Sequence, residues 1–367
     1  MRLSIKRELL KKVVDAIGKV VGKSQDAILH NILVKKEEYG LSWTGTNLEQ
    51  SITVKTPLQV LKDEPIYETI IPFDILRDIV SRLSEDEIEI EMKEKQFILD
   101  EKNGKYALKA FESQTFPIIP DVKTENKFYL DTKTITSMIE KTAFATAKRE
   151  ESRREFKGVF FEIDRGTINL VATDSTALAW FSVKYEGLEP IQFIIPFRAV
   201  EAFQKLPLDY ESNTLFEVSD EVIRLTNSDI SLTSLLINGS YPDYRSVVPS
   251  ETDYYAIVEK EELLEALEHI EPVAKKGSGR ISFTFSNKGL TLETQCSDVG
   301  SAMKKVKCET NAEMYMQFYA EKIIEGIEKI DAQSVHFGIN DPLKPVLIRG
   351  IEDENYLYVI MPQKPIV

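Results

Sequence analysis

The sequence predicts an α+β fold of three similar domains in a row, each a set of antiparallel strands covered by helices. Three observations carry this. The chain of 367 residues is too long for one ordinary core. An order of helix, strands, helix, strands returns three times, with a period of roughly 120–125 residues judged from the anchors Phe73, Phe197 and Tyr319. Strand-like runs such as Glu87-Ile-Glu-Ile-Glu-Met92 alternate strictly, as half-buried antiparallel sheet does. A repeat of this length is too long for a solenoid, so each is read as a domain in its own right, at 1–121, 122–250 and 251–367.

In the first repeat, Arg7–Val21 is predicted to be an amphipathic helix. Leu10, Val13, Val14, Ile17, Val20 and Val21 recur at three- and four-residue spacing, with lysines on the opposite face. Strands follow at Ile28–Lys35, Leu41–Thr44 and Ser51–Thr56, and Phe73, Leu76, Ile79, Val80 and Leu83 mark a helix after Pro72. Strands Glu87–Met92, Gln96–Asp100 and Tyr106–Ala110 close the repeat. The second repeat has a helix at Thr134–Ala147, strands Gly158–Ile163 and Thr167–Ala172, a helix at Ala199–Leu206 and strands from Leu215 to Leu236. The third has helices at Glu261–Ile270 and Lys322–Ile330, with strands Tyr254–Glu259, Arg280–Phe285, Gly289–Thr294, Ser334–Ile339, Pro345–Arg349 and Tyr356–Ile360.

Hydrophobic residues at 43% and charged residues at 29% describe a soluble globular chain. No apolar run approaches bilayer-spanning length, and Met1-Arg-Leu-Ser-Ile-Lys-Arg-Glu8 lacks a signal-peptide core, so a cytoplasmic protein without a membrane partner is expected. Two cysteines, Cys296 and Cys308, without CxxC spacing argue against a disulfide framework or zinc site. His30, His269 and His336 are scattered, and no metal or cofactor is expected. The net charge of −14 at first speaks against nucleic acid. Yet the basic residues are segregated. Arg2, Lys6, Arg7, Lys11, Lys12, Lys19 and Lys23 crowd one stretch, and Lys133, Lys141, Lys148, Arg149, Arg153 and Arg154 another, while acid gathers in Ser84–Glu94 and Glu259–Glu271. One basic surface on an acidic body is compatible with this pattern.

The connector Asn238-Gly-Ser-Tyr-Pro-Asp-Tyr-Arg-Ser-Val-Val-Pro249 lies between two strand-like runs. Gly239 permits an unusual turn, and Pro242 and Pro249 stiffen the path. It carries Tyr241, Tyr244, Val247 and Val248, too apolar a set for a solvated linker, so it is expected to pack at a domain junction and to wall a groove. Tyr241-Pro-Asp-Tyr-Arg245 followed by Val247-Val248-Pro249 resembles the F-P-D-Y-R…V-x-P signature of the bacterial sliding clamp, the β subunit of DNA polymerase III. Val171-Ala-Thr-Asp174 with Leu178-Ala179, the terminal Tyr358-Val-Ile-Met-Pro362 and Thr44-Gly-Thr-Asn-Leu-Glu49 agree with it, in order along the whole chain.

The resemblance implies a DNA clamp fold, with two chains forming a homodimeric six-domain ring that encircles double-stranded DNA without regard to sequence. It implies no catalysis; the chain would tether a polymerase for processive DNA replication. By position it implies DNA-facing roles for Lys23, Lys148, Arg149, Arg153 and Arg154, with Arg198 a weaker addition. It further implies a groove for short hydrophobic peptides of the polymerase and clamp loader, lined by Thr173, Leu178, Pro242, Val247, Val359 and Met361. Such a cleft takes Leu or Phe anchors while a few polar atoms fix direction. At the dimer interface it points to Tyr106 and Leu108 on one side and Ile270 and Val273 on the other. The pocket rim departs from the family, with Thr176-Ala177 where His-Arg is frequent and Ser240 and Ser246 where basic residues are common. The end Met361-Pro-Gln-Lys-Pro-Ile-Val367 is also longer than usual. These departures are read as changed partner preference, as in a divergent or accessory member.

Two other classes compete on the residues alone. A metal-dependent phosphoesterase would use Asp174 and Asp243 as an acidic pair, although turn aspartates are more often structural. A monomeric peptide-binding scaffold would need no nucleic acid. The stretch Gly18-Lys-Val-Val-Gly-Lys-Ser24 is no phosphate loop, because its glycines are one residue too close and it ends a helix.

Overall fold

The computed structural model describes residues 1–22, 26–38, 40–62, 68–117, 121–124, 126–187 and 189–364. Lys23, expected to face DNA, lies outside the described residues, as do Ser24 and the last three positions of the tail. The chain forms two compact units, one of Met1–Thr136 with Arg198–Leu236, the other of Ser137–Phe197 with Ile237–Val367.

The first unit holds a five-stranded antiparallel sheet in the order Gln59–Lys62, Arg2–Lys6, Glu87–Lys93, Gln96–Glu101, Gly104–Lys109. Its second sheet has eight strands, in the order Lys127–Asp131, Asn213–Val218, Val222–Asn227, Ile230–Leu235, Gln50–Pro57, Gly40–Thr46, Asn31–Glu37, Glu68–Pro72. Four of these come from the first sequence repeat and four from the second. Leu232 opposite Ile52 joins the two sets. Trp43 on the larger sheet and Phe97 on the smaller are fully buried and meet edge to face at 6.0 Å. The indole N–H of Trp43 donates to Thr56 Oγ1 at 2.9 Å, so burying the ring strands no donor.

Helix α1 (Arg7–Ile17) buries Leu10, Val13, Val14, Ala16 and Ile17, the face that periodicity selects. It ends four residues before the predicted Val21 because turns take over at Gly18, and Gly22 adopts a left-handed φ of +89°. The predicted strand start at Ile28 is instead a 3₁₀ turn, Ala27–His30, capped by the Asp26 carboxylate accepting from Ile28 N–H. Helix α2 covers Phe73–Val80. Helix α3, Thr132–Thr142, stops short of Ala147, and its hydroxyls bond back into the helix, Thr136 to Thr132 O and Thr142 to Met138 O, both at 2.7 Å. Helix α4 spans Phe197–Gln204.

The second unit has a nine-stranded sheet ordered Ile191–Pro196, Gly158–Asp164, Thr167–Thr173, Ala177–Lys184, Tyr356–Ile360, Val346–Gly350, Ser334–Ile339, Tyr254–Glu259, Cys308–Thr310. A four-stranded sheet runs Gly300–Val306, Gly289–Cys296, Arg280–Ser286, Met314–Tyr319. Phe283, Phe285, Phe318 and Phe337 fill the core with edge-on and tilted ring contacts of 5.1–6.4 Å. Helix α5 runs Lys260–Lys276, past the expected end at Ile270 and through Pro272, because Ala274 beyond the proline is fully buried. Helix α6, Ala320–Glu328, places Gly326 against Tyr358, whose ring occupies the space a Cβ would need. Tyr356 and Tyr358 donate from their hydroxyls to Gly326 O and Lys322 O, at 3.2 and 3.0 Å. In Gly326→Ala the gain in helix propensity, about 1 kcal/mol, is outweighed by overpacking of about 1–3 kcal/mol. The substitution is expected to lower the denaturant midpoint of the second unit while the first unfolds unchanged.

Candidate functional site

The site begins with one face of the nine-stranded sheet. Antiparallel register sets Phe160 opposite Val171, Val171 opposite Trp180 and Leu178 opposite Val359. Phe160, Val171, Leu178, Ile194 and Val359 form an apolar floor, and Tyr244 from the connector is buried on it. Gly239, with φ of +150°, starts the connector in a conformation side chains disfavour, and a Cβ there would strike Glu155. Tyr241 then stacks on Phe160 at 4.6 Å, and Tyr244 meets Trp180 edge-on at 5.0 Å. Asp243 accepts from Arg245 N–H at 3.1 Å and caps the 3₁₀ turn Tyr244–Val247.

The opposite wall is the turn 173–177. Ser175 holds a left-handed φ of +76°, and the Asp174 carboxylate stabilises that bend. Asp174 Oδ1 accepts from Thr176 N–H, Thr176 Oγ1–H and Ala177 N–H at 2.9, 2.8 and 3.0 Å. Lys322 on α6 reaches both Asp174 and Thr176. Met361 N–H donates to Thr176 O at 2.8 Å, which draws the end of the chain onto the same turn.

Between the walls is a cavity of about 230 Å³. Thr173, Leu178, Pro242, Val247, Val359 and Met361, the six residues read from the sequence, all line it. Val247 is 47% exposed and sits at the rim, whereas Leu178 and Val359 are buried. Phe156, Tyr241 and Pro345 also line it and were not among the sequence candidates. Tyr241 was legible as an apolar residue in a connector, but Phe156 and Pro345 carry no local signal, because chain topology alone brings them here. The arrangement can desolvate one or two large apolar side chains.

Two carboxylates beside the cavity remain charged. Burial raises the Asp174 pKa, but the Lys322 ammonium and the turn's own N–H groups outweigh it and hold the carboxyl below its ordinary range. For Glu162 burial likewise opposes charge, and hydrogen bonds from Arg245 and Tyr244 reverse the outcome. Tyr244 is pushed the other way, by burial and then by Glu162, so its phenol stays protonated and donates. Asp174 and Asp243 each serve a turn, and among the described residues no group of three or more His, Cys, Asp and Glu side chains is placed to hold a metal ion.

Lys148, Arg149, Arg153 and Arg154 lie together on an exposed loop closed by Ala147 N–H donating to Phe156 O at 2.8 Å. Lys148 is within 3.7 Å of Glu321 and 3.9 Å of Glu325, and Arg153 lies over the Phe156 ring. Arg198, in the first unit, is exposed and 3.6 Å from Glu49. Of the interface candidates, Leu108 and Ile270 are turned inward, 4% and 1% exposed, and belong to the core of the single chain. Tyr106 and Val273 stay partly exposed, with Tyr106 donating to Glu101 at 3.1 Å. This follows from strand and helix periodicity, since apolar positions on an edge element serve their own core first. No described helix is long and apolar enough to cross a membrane.

Comparison with known proteins agrees with this geometry. Profiles of the N-terminal, central and C-terminal domains of the DNA polymerase III beta subunit match residues 1–120, 129–243 and 245–364. The beta sliding clamp of Pseudomonas aeruginosa is 24% identical, over 99% of this chain and 100% of its own, and that of Chlamydia pneumoniae is 26% identical over 99% of each. A crystal structure of the P. aeruginosa DNA polymerase III subunit beta superposes with a TM-score of 0.93 at 25% identity, covering both chains fully. The Thermotoga maritima beta subunit shares the fold, with a TM-score of 0.91 at 21% identity and full coverage of both.

The two depressed carboxyls predict an acid limb. A folded pKa below the unfolded one contributes stability that is present above the unfolded value and is lost as pH falls through the folded one. Denaturant unfolding of the second unit, followed at stepped pH, is expected to hold steady down to about pH 5 and to weaken below about pH 4. Asp174→Asn should start less stable at neutral pH and show a shallower acid limb.

Proposed function

The chain belongs to the DNA polymerase III beta subunit family, and from that premise we propose how its parts act as a DNA sliding clamp. Two copies close head to tail around duplex DNA. The basic loop 148–154 and Arg198 supply weak, sequence-blind attraction to phosphates, and the cavity of the second unit captures short hydrophobic peptides of the polymerase and the clamp loader. The three domains are taken as 1–121, 122–250 and 251–367, the working place as the cytoplasm, and the role as tethering without catalysis.

The observation that carries the reading is the cavity. Six residues scattered from Thr173 to Met361 meet around one small apolar space, with backbone and side-chain hydrogen bonds holding both walls. Preformed walls let an incoming Leu or Phe anchor bind without first ordering the site. For closure, Gly104–Lys109 and Gly300–Val306 are edge strands of the five- and four-stranded sheets, and each has one ladder side left for another strand. A head-to-tail contact must close to avoid a filament, and in the proposed pair each copy's Gly104–Lys109 edge meets the other's Gly300–Val306 edge, so that two contacts close the ring. With a net charge of −14, adhesion to DNA is weak, so retention rests on enclosure.

Loaded by a clamp loader onto nicked circular DNA, the protein is expected to stay bound at high salt and to leave once the circle is cut. Salt-sensitive release from circle and linear DNA alike would overturn enclosure. Met361→Ala should weaken binding of a Leu-Phe peptide by roughly tenfold and leave the dimer intact by native mass. Loss of the dimer with unchanged peptide affinity would remove Met361 from the pocket.

A further inference from the structure

We propose that Glu162, which does not line the cavity, is the positioning residue that sets the connector wall for peptide binding; this rests on the peptide-pocket reading above. Glu162 stands on strand Gly158–Asp164, with its side chain 15% exposed, and gathers four donors. Tyr244 Oη–H donates at 2.7 Å, Asn169 Nδ2–H at 3.3 Å, and the Arg245 fork at 3.2 Å from Nη1 and 2.7 Å from Nη2. Arg245 lies over the rings of Tyr244 and Trp180, at 4.5 and 5.7 Å, and Trp180 donates to Asn169 Oδ1 at 3.0 Å. Strand, connector and neighbouring strand are thus tied at one carboxylate.

Position along the connector gives this its consequence. Tyr244 and Arg245 sit between Pro242 and Val247, both of which line the cavity. Apolar burial of Tyr241 and Tyr244 holds the connector to the sheet, but that attraction has no direction and tolerates sliding. A bidentate guanidinium–carboxylate pair with a phenol on the same oxygen fixes register and height. Without it the connector remains seated while Pro242 and Val247 lose their spacing from Leu178 and Met361. Asp243 caps the turn from within and cannot replace an anchor to the sheet.

The test uses the full chain and a synthetic peptide carrying adjacent Leu and Phe, titrated by calorimetry, with thermal melting and Trp fluorescence alongside. Glu162→Gln is expected to weaken binding roughly tenfold, in line with the loss of charge-assisted hydrogen bonds. Tyr244→Phe should weaken it severalfold, and the double variant no more than Glu162→Gln alone, since both act through one contact. Emission from Trp180 should shift in Glu162→Gln while that of Trp43, in the other unit, stays constant in single-tryptophan backgrounds. Arg245→Met, which keeps the carboxylate and removes the fork together with the guanidinium over the Tyr244 and Trp180 rings, carries the test if Glu162→Gln does not fold. A lowered melting temperature with peptide affinity unchanged overturns the positioning role, as do additive losses in the double variant. No peptide binding by the parent chain overturns the pocket reading itself, and this role with it.

Discussion

Antiparallel pairing of Ala177–Lys184 with Tyr356–Ile360 is the constraint on which the site depends. It sets Leu178 beside Val359 and carries the chain on to Met361, whose N–H then finds Thr176 O. Strand pairing is register-specific, because a slip of one residue turns every side chain to the other face. A slip of this pair would part Leu178 from Val359, both buried on the cavity side, so the register is firmly held. Everything else at the cavity is added to that floor.

Two carboxylates then do what apolar contact cannot. Asp174 fastens the turn that carries Thr173 and Thr176, and Glu162 fastens the connector that carries Pro242 and Val247. Each is a partly buried charge, costly alone, which is offset by donors filling its lone pairs. Asp174 also stabilises the left-handed Ser175, where a glycine would be the unstrained choice. The turn 173–177 is therefore an ordered wall. Lys322 is engaged with Asp174 and Thr176, and the exposed Asp243 is the charged side chain that lines the cavity.

The strong acidity of the chain fits a mechanism of enclosure better than one of adhesion. Exposed Lys148 and Arg198 both lie near carboxylates, with Lys148 beside Glu321 and Glu325 and Arg198 beside Glu49. Exposed pairs of this kind are worth little in stability and are screened by salt, so they do not fix either cation in place.

While the six residues that line the cavity came from the resemblance to the sliding-clamp family, sequence alone determined the helical and strand periodicities, the threefold recurrence and the connector motif. These are local signals, spelled out by neighbouring residues: the face of α1 in Leu10, Val13, Val14 and Ile17, the strand in Glu87–Met92, the bend at Gly239. The exposed edge strand Gly300–Val306 and the strand Ala177–Lys184 escaped it, the first because an edge with little burial shows no alternation. Tertiary structure decided which residues meet: Phe156 and Pro345 at the cavity, Glu162 beneath the connector, Leu108 and Ile270 inside their own core. It also decided that the sheets run across repeat boundaries, as Leu232 beside Ile52 shows. Strand pairing is a contact between distant segments whose partner is chosen by packing and register, and no stretch of sequence contains its own partner.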